Sequence, residues 1–221
     1  MKIIEPKIWV ENYDPLKIMK NIERACRTCY RSEVLITEDS YKKLLKNCIN
    51  RGHESVMEHE KITVRMQCDI GVYKDLTRHR FGSFSIESTR YCNYSKDKFD
   101  NEIKFIKPIY FDDGDKSQWW VAAMTEIEKI YNEMAAIGCI PDEMRMILPH
   151  STAAEVTMTA NIREWRHILS LRCSQAAHPS IQQLLIPLLL EFKSTMPELF
   201  DCISYNQSFP KEKYAQLNVI E

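Results

Sequence analysis

Glycine is scarce in this chain. There are five in 221 residues (Gly52, Gly71, Gly82, Gly114 and Gly138), and neighbouring ones stand at least eleven positions apart. That spacing cannot write a G-x-G-x-x-G turn or a G-x-x-x-x-G-K-[ST] loop, so Rossmann and P-loop nucleotide sites are excluded. Any phosphate held here must be met by side chains or by helix ends without glycine. Long hydrophobic runs are missing too. The longest, around Leu184–Leu190, falls far short of the about 20 residues that a bilayer requires. The opening Met1-Lys2-Ile3-Ile4-Glu5-Pro6 has no apolar signal-peptide core. Charge of one sign is also lacking, since 30 Lys+Arg against 31 Asp+Glu leaves −1. Overall charge therefore gives no footprint for nucleic acid or a membrane. These absences set the expectation of a cytoplasmic protein with no nucleic-acid and no membrane partner.

Eight cysteines are present, but without a secretory start they imply reduced thiols, not a disulfide framework. Cys26-x-x-Cys29 has no second C-x-x-C to complete a zinc site, and its helical spacing suits packing. No metal site is expected. A composition 44% hydrophobic and 28% charged is globular. With no repeat, low-complexity tract or linker, residues 1–221 read as one domain.

The periodicity predicts helices over Pro15–Tyr30, opened by Asp14-Pro15, and over Glu38–Arg51, with Thr37 as N-cap and Gly52 as stop. Ile62, Val64, Met66 and Cys68 alternate with polar residues as in a half-buried strand. Asp69 then caps a helix that carries Ile70, Val72, Tyr73 and Leu76 and delivers the chain to Arg78. Glu102–Phe111 and Val156–Thr159 read as further strands. Gln118–Ile137, Pro141–Leu148, Asn161–Arg172 and Ile181–Thr195 read as helices. Few strands separated by helices give an α+β fold, a central mixed or antiparallel sheet covered by helices.

The densest polar constellation is Arg78–Tyr94, RHRFGSFSIESTRYCNY. Arginine is the residue that grips phosphates with a planar fork, and no lysine lies between Thr77 and Ser95. Composition alone leaves open a solvated helix end followed by a surface loop. A nucleotide-binding regulator and an arginine-rich single-strand binder, stacking bases on Tyr91 and Tyr94, are also open.

The spacing is more specific. Arg78-His79-Arg80, seven residues, then Ser88 is R-H-R-x7-S, which resembles the signature of the flavin-dependent thymidylate synthases. Arg51-Gly-His-Glu-Ser-Val-Met-Glu-His59 resembles that family's H-G-H-E-[ST]-x-x-E-H segment. Arg145-Met-Ile-Leu-Pro149 is similar to its A-R-x-x-L-P helix, and Asn161-Ile-Arg163 through His167 to Leu171-Arg172 to its N-x-R…[NH]…L-R helix. The likeness runs over about residues 20 to 200. It implies a homotetramer with sites at subunit interfaces. FAD would be the cofactor, NADPH the reductant, methylenetetrahydrofolate the carbon donor, and dUMP the substrate converted to dTMP without a cysteine nucleophile.

Carried over by position, Ser55, Arg78, His79, Arg80, Ile86, Asn161, Arg163 and His167 fall on cofactor positions. Asp75, Arg78, Glu87, Ser88, Arg90, Arg145 and Arg172 fall on nucleotide positions. The resemblance makes Arg172 the residue that polarises the uracil and places His53 near flavin and folate. Asp75 replaces a longer Gln or Glu common among relatives, and Ile86 a residue that is polar in some. Cys29 stands where many have Ser. His178 and His150 have no clear counterpart; His178 is a modest candidate and His150 a structural or surface residue.

Independently of the family, six arginines (78, 80, 90, 145, 163 and 172) could meet the phosphates of a nucleotide and a flavin. A fixed guanidinium facing uracil would stabilise the charge that builds when N3 loses its proton. At about 100° per residue, Asn161, Trp165, Ile168 and Arg172 share one side of their helix, with Arg163 and His167 opposite. That arrangement suits a helix between two ligand regions or two subunits. A core helix with Asn161 as N-cap and Arg172 offsetting the dipole is the alternative.

Overall fold

The computed structural model describes residues 1–11, 13–96, 101–111 and 114–220. Its strands, in chain order, are β1 (Lys2–Ile4), β2 (Lys7–Glu11), β3 (Lys61–Asp69), β4 (Ser83–Ile86), β5 (Lys104–Ile106), β6 (Ala153–Asn161) and β7 (Gln216–Ile220). The alternation expected from Ile62 to Cys68 is real: those four apolar side chains are buried, and Thr63, Arg65 and Gln67 are half-buried. Strand β3 is the middle of a five-stranded sheet in the order β4-β6-β3-β2-β7. Its pairs are antiparallel except β2–β7, which is parallel. The sheet is thus mixed, and β1 and β5 form a separate parallel pair.

Register puts Ile62 opposite Ala160, Val64 opposite Met158 and Val10, and Met66 opposite Val156 and Ile8. These residues form one dry face. On the other face Thr63 and Thr159 hydroxyls meet at 2.8 Å, and Arg65 lies over the Trp9 ring at 4.3 Å while pairing with Glu11.

The helices are α1 (Pro15–Thr28), α2 (Ser40–Asn50), α3 (Ile70–Leu76), α4 (Gly114–Ala136), α5 (Pro141–Met144), α6 (Ile162–Arg172), α7 (Pro179–Thr195) and α8 (Pro197–Phe200). The dry sheet face joins Ile18 and Ile22 of α1, Trp165 and Leu169 of α6, and Leu185 and Leu189 of α7 in one core. Trp165 anchors α6, donating from its indole Nε1 to the Ile62 carbonyl of β3 at 3.0 Å. A second core gathers Phe105 of β5, Trp120, Met124 and Tyr131 of α4, and Met144 of α5.

Several boundaries differ from those the sequence suggests. Helix α2 starts at Ser40, and Thr37 does not cap it; the Thr37 N–H donates to Ser40 Oγ at 2.9 Å. Ser40 Oγ in turn donates to the buried Glu23 of α1 at 2.7 Å, tying the helix start to its neighbour. The strand expected over Glu102–Phe111 shrinks to β5, because Pro108 lacks a ladder donor and the chain turns into a 3-10 segment at Ile109–Phe111. Helix α4 begins four residues before Gln118, and the Pro141–Leu148 helix splits into α5 and a 3-10 turn over Arg145–Ile147. Strands β1, β2, β4 and β7 were not expected from the sequence. Cys26 lies 3.4 Å from Cys48, sulfur to sulfur, and both are buried, while Cys29 is exposed.

Candidate active site

The chain reaches the Arg78 segment by a short, well-capped path. Asp69 ends β3 and accepts from the Val72 N–H at 2.8 Å, starting α3, and the fully buried Leu76 anchors its far end. Three residues later His79 is 5% exposed, while Arg78 and Arg80 on either side are exposed. Gly82 lets the turn lie against the sheet: a Cβ there would stand 2.8 Å from Met158 Cε of β6. On the facing side, Asn161 ends β6 and caps α6, accepting from the Glu164 N–H at 2.8 Å. The N-cap role weighed for Asn161 is therefore the one it plays, and its side chain also borders the cavity described next.

Between these two elements lies a cavity of about 890 Å³, lined by Arg78, His79, Arg80 and Phe81 on one side and by Asn161, Arg163, Glu164, Arg166, His167 and Ser170 of α6 on the other. Glu54, Glu58 and the Cys202–Ser204 segment complete its lining. Six of the eight cofactor positions suggested by sequence (Arg78, His79, Arg80, Asn161, Arg163 and His167) are thus brought together. Ser55 and Ile86 are not on its lining. The α6 side chains are also less two-sided than their helical angles imply. Ile162, Trp165, Ile168 and Leu169 are buried in the core, and the cavity follows the remaining surface of α6 along its length.

Electrostatics divide the cavity. Arg163 is held at its rim by Glu58, 2.6 Å away. Arg166, 8% exposed, donates to Glu54 Oε1 at 2.9 Å and to the Leu199 carbonyl, but its buried Nε has no partner among the described residues. The side chains of Arg78 and Arg80 make no hydrogen bond or ion pair among the described residues. Two guanidiniums without a side-chain partner among the described residues thus line a space of ligand size. No phosphate-binding glycine loop is present to do this work.

Arg172, off the lining, donates from Nε to His79 Nε2 at 3.0 Å and from Nη2 to the Asp75 carbonyl at 2.9 Å. Glu164 Oε1 stands 3.5 Å from His79 Nδ1, and the His167 ring meets the His79 ring edge-on at 5.7 Å. Burial, with the Arg172 and His167 charges adding to it, pushes the His79 pKa down from its ordinary 6.5 to about 4. Burial raises the Glu164 carboxyl above its ordinary range, opposed by His167. Ligand atoms of His79, Glu164 and His167 lie within 4.8 Å of one another. A cation would need a lone pair of the His79 ring, however. Nε2 is taken by the Arg172 N–H, and coordination at Nδ1 would force the ring proton onto Nε2 against that donor. The hydrogen bond from Arg172 thus sets the ring's protonation pattern against a metal centre here.

A neutral buried histidine makes stability pH-dependent in a definite direction. With the folded value below the unfolded one, the contribution is whole above pH 6.5 and is lost as pH falls toward 4. Wild-type melting temperature is therefore expected to fall more steeply over that window than that of His79→Gln. Thermal denaturation across a pH series checks this, and parallel slopes would contradict it.

Of the nucleotide positions, Arg78 lines the cavity, Asp75 and Arg172 contact each other beside His79, and Arg90 and Arg145 meet at Asp142. Arg90 grips Asp142 of α5 through Nε at 3.1 Å and Nη2 at 3.5 Å, and Arg145 stands 3.8 Å from the same carboxylate. Ser88 lies half-buried just before Arg90. Glu87 is committed to the fold: its carboxylate accepts from the Tyr94 hydroxyl at 3.0 Å and from the Glu155 N–H of β6 at 3.3 Å. Asp75 touches Arg172 through its carbonyl, and its carboxylate is 3.7 Å from Arg172 Nη1. His53 is in none of these places; it borders a small separate hollow with Cys26, Arg27, Cys48 and Arg51. His178 caps α7, accepting from Ser180 N–H, and its Nε2 meets the Tyr110 hydroxyl at 3.1 Å. His150 is exposed and meets Lys74.

Glu164, Arg166 and Cys202 were missed by sequence reasoning. The run Arg163-Glu164-x-Arg166-His167 was the available signal for the first two, since four ionisable residues within one turn and a half cannot all face solvent on a helix that also carries Trp165 and Ile168. Cys202 gave no signal, as it comes from a turn after α8. Burial pushes the Cys48, Cys68 and Cys173 thiols up, Cys48 to about 12, away from the reactive thiolate.

Comparison with known proteins supplies independent information. The sequence profile of the family described as "Thymidylate synthase complementing protein" matches residues 14–198. A flavin-dependent thymidylate synthase of Pyrococcus abyssi is 29% identical over 157 residues, 71% of this chain; the match spans only 64% of that protein. One of Thermosipho africanus is 30% identical over 193 residues, covering 80% of this chain and 82% of the other. In three dimensions the chain is similar to the crystal structure of thymidylate synthase X of Helicobacter pylori with FAD and dUMP. The TM-score is 0.74 at 20% identity, over 90% of this chain and all of that one.

Proposed function

The chain belongs to the family of the flavin-dependent thymidylate synthases, and from that premise we propose that it converts dUMP to dTMP with FAD as cofactor. The observation that carries the cofactor reading is the pair of guanidiniums, Arg78 and Arg80, that line a cavity of about 890 Å³ and have no side-chain partner among the described residues. Those arginines would meet the phosphates of FAD, with Phe81 offering a ring for stacking. Bound there, FAD would supply the redox chemistry, drawing on NADPH, that carries the one-carbon unit of methylenetetrahydrofolate to the methyl level.

The chain's own residues would bind and polarise the nucleotide. Arg90 and Arg145 are held side by side by Asp142, where a phosphate dianion would compete for the same two guanidiniums. Arg172 would face the uracil carbonyls and stabilise the negative charge that appears as N3 loses its proton, making C5 the nucleophile. The route needs no cysteine nucleophile. Cys202 borders the cavity, so Cys202→Ser, which retains the FAD site, is expected to keep thymidylate formation. The reading includes a homotetramer with shared sites. Within one chain the cavity, the Arg90–Arg145 pair and His53 stand in three separate places, and Phe81, Trp119, Ile137 and Met146 are each more than three-quarters exposed. Among the described residues no helix is long and apolar enough to cross a membrane, and the cysteines there are free; both accord with a cytoplasmic enzyme.

Absorption spectroscopy and turnover test the reading together. The purified protein is expected to be yellow or to take up added FAD, to oxidise NADPH faster when dUMP is added, and to form dTMP. Light scattering is expected to give four times the 26.1 kDa chain mass. A colourless protein that fails to bind FAD in titration overturns the cofactor assignment, and a fully active monomer overturns the shared site.

A further inference from the structure

The contacts of His79 fix more than its position. A guanidinium N–H can only donate, so the 3.0 Å bond from Arg172 Nε requires His79 Nε2 to accept. A neutral ring with a bare Nε2 carries its proton on Nδ1, and the group facing Nδ1 is the Glu164 carboxylate, 3.5 Å away. Glu164 is 8% exposed, one turn into α6 from its Asn161 cap. The first turn of a helix favours an acid, but burial opposes its charge and raises the Glu164 carboxyl pKa. The contact with the ring is the one polar contact its side chain makes among the described residues. The three residues come from two elements, the turn after α3 and the two ends of α6, so the series Glu164–His79–Arg172 leads from the cavity lining to a guanidinium that lies off it.

We infer that Glu164 is a positioning residue for Arg172: by facing the Nδ1 proton it holds His79 in the one tautomer that can accept from the Arg172 guanidinium. The inference rests on the reading that Arg172 acts on the substrate. Without Glu164 the Arg172 N–H alone favours the Nδ1–H ring, and the Nε2–H form, which opposes that donor, gains population. In that form Arg172 keeps only its Asp75 contacts, and its plane is no longer fixed on both edges. Preorganised donors stabilise developing charge because they need not reorganise, and a loosened guanidinium loses that advantage.

Two readouts separate this role from simple support of the fold. The first is the tautomer of His79, read from the ring ¹⁵N shifts of deuterated, ¹⁵N-histidine-labelled protein and assigned with His79→Gln. Wild type is expected as the Nδ1–H form. Glu164→Ala is expected to shift toward Nε2–H, and Glu164→Gln, whose amide oxygen still accepts, to stay with the wild type. The second is dTMP formed per bound flavin at saturating dUMP. It should fall about tenfold in Glu164→Ala, less than the loss of the Arg172 donor itself would cost, and recover in Glu164→Gln. Because Glu164 and His79 line the cavity, FAD content is measured in each protein and turnover is expressed per bound flavin. An Nε2–H ring in the wild type, an unchanged ring in Glu164→Ala, or a Gln variant as impaired as the Ala one overturns the inference. The ¹⁵N measurement needs no turnover, so a protein that forms no dTMP would overturn the functional reading while this contact chain was still decided.

Discussion

Replacing Arg172 with alanine is expected to lower dTMP formation per bound flavin by about 10²–10³-fold, the cost of losing a donor aimed at developing charge. Arg172 uses two hydrogen bonds, to His79 and to the Asp75 carbonyl, to fix its plane. Guanidinium has five N–H donors, so others remain for a pyrimidine carbonyl. Arg172→Lys keeps the charge but loses the planar fork, and a comparable loss is expected. In both variants the yellow colour and slow NADPH oxidation without dUMP should persist, because Arg172 is not on the lining of the cavity assigned to the flavin. The measurement is paired: FAD content by absorbance, and dTMP per flavin under saturating dUMP. If Arg172→Ala loses its flavin while each remaining flavin turns over normally, Arg172 is a cofactor ligand and its assignment to the uracil is wrong.

The centre of this arrangement was legible in the sequence because it depends on local signals. Period-two alternation marked β3, an Asp marked each of two helix starts, at Asp14 and Asp69, and the scarcity of glycine pointed to arginines for any phosphate. Other parts depend on partners distant in the chain. Strand β7 pairs in parallel with β2 across some 210 positions, and its half-exposed alternation carries little hydrophobic contrast to mark it. Strand β4 hid inside the polar segment that had been read for its chemistry. Within the site, arginines that belong to a motif were found. Arg166 and Glu164 were not, since their meaning lies in what they face: Glu54 for one and His79 for the other. Helical angles gave α6 two polar sides; the cavity takes Asn161 from one and Arg163 and His167 from the other, and leaves Arg172 off its lining.

The strongest effect on the cofactor is expected from removing both Arg78 and Arg80. Each is exposed and without a side-chain partner among the described residues, so truncation leaves nothing else unpaired. Apo-protein stability should then change by less than about 0.5 kcal/mol per site. A hydrogen bond to a charged group contributes about 1.5–3 kcal/mol. Two lost together are worth about 3–6 kcal/mol, or roughly 10²–10⁴ in the FAD dissociation constant. Part of any loss would come from the general change in charge, which salt screens. Lys129→Ala on the exposed face of α4, 62% exposed in its side chain, supplies that control and should leave FAD binding unchanged at fixed ionic strength. Titrating apo-protein with FAD by fluorescence quenching gives the constants, and thermal melting of the same samples confirms the fold. Because Arg78 also falls on a nucleotide position, the single variants are informative. Arg80→Ala should weaken FAD alone, and Arg78→Ala should weaken FAD and raise the KM for dUMP. A double variant that binds FAD as tightly as wild type would place the flavin outside this cavity.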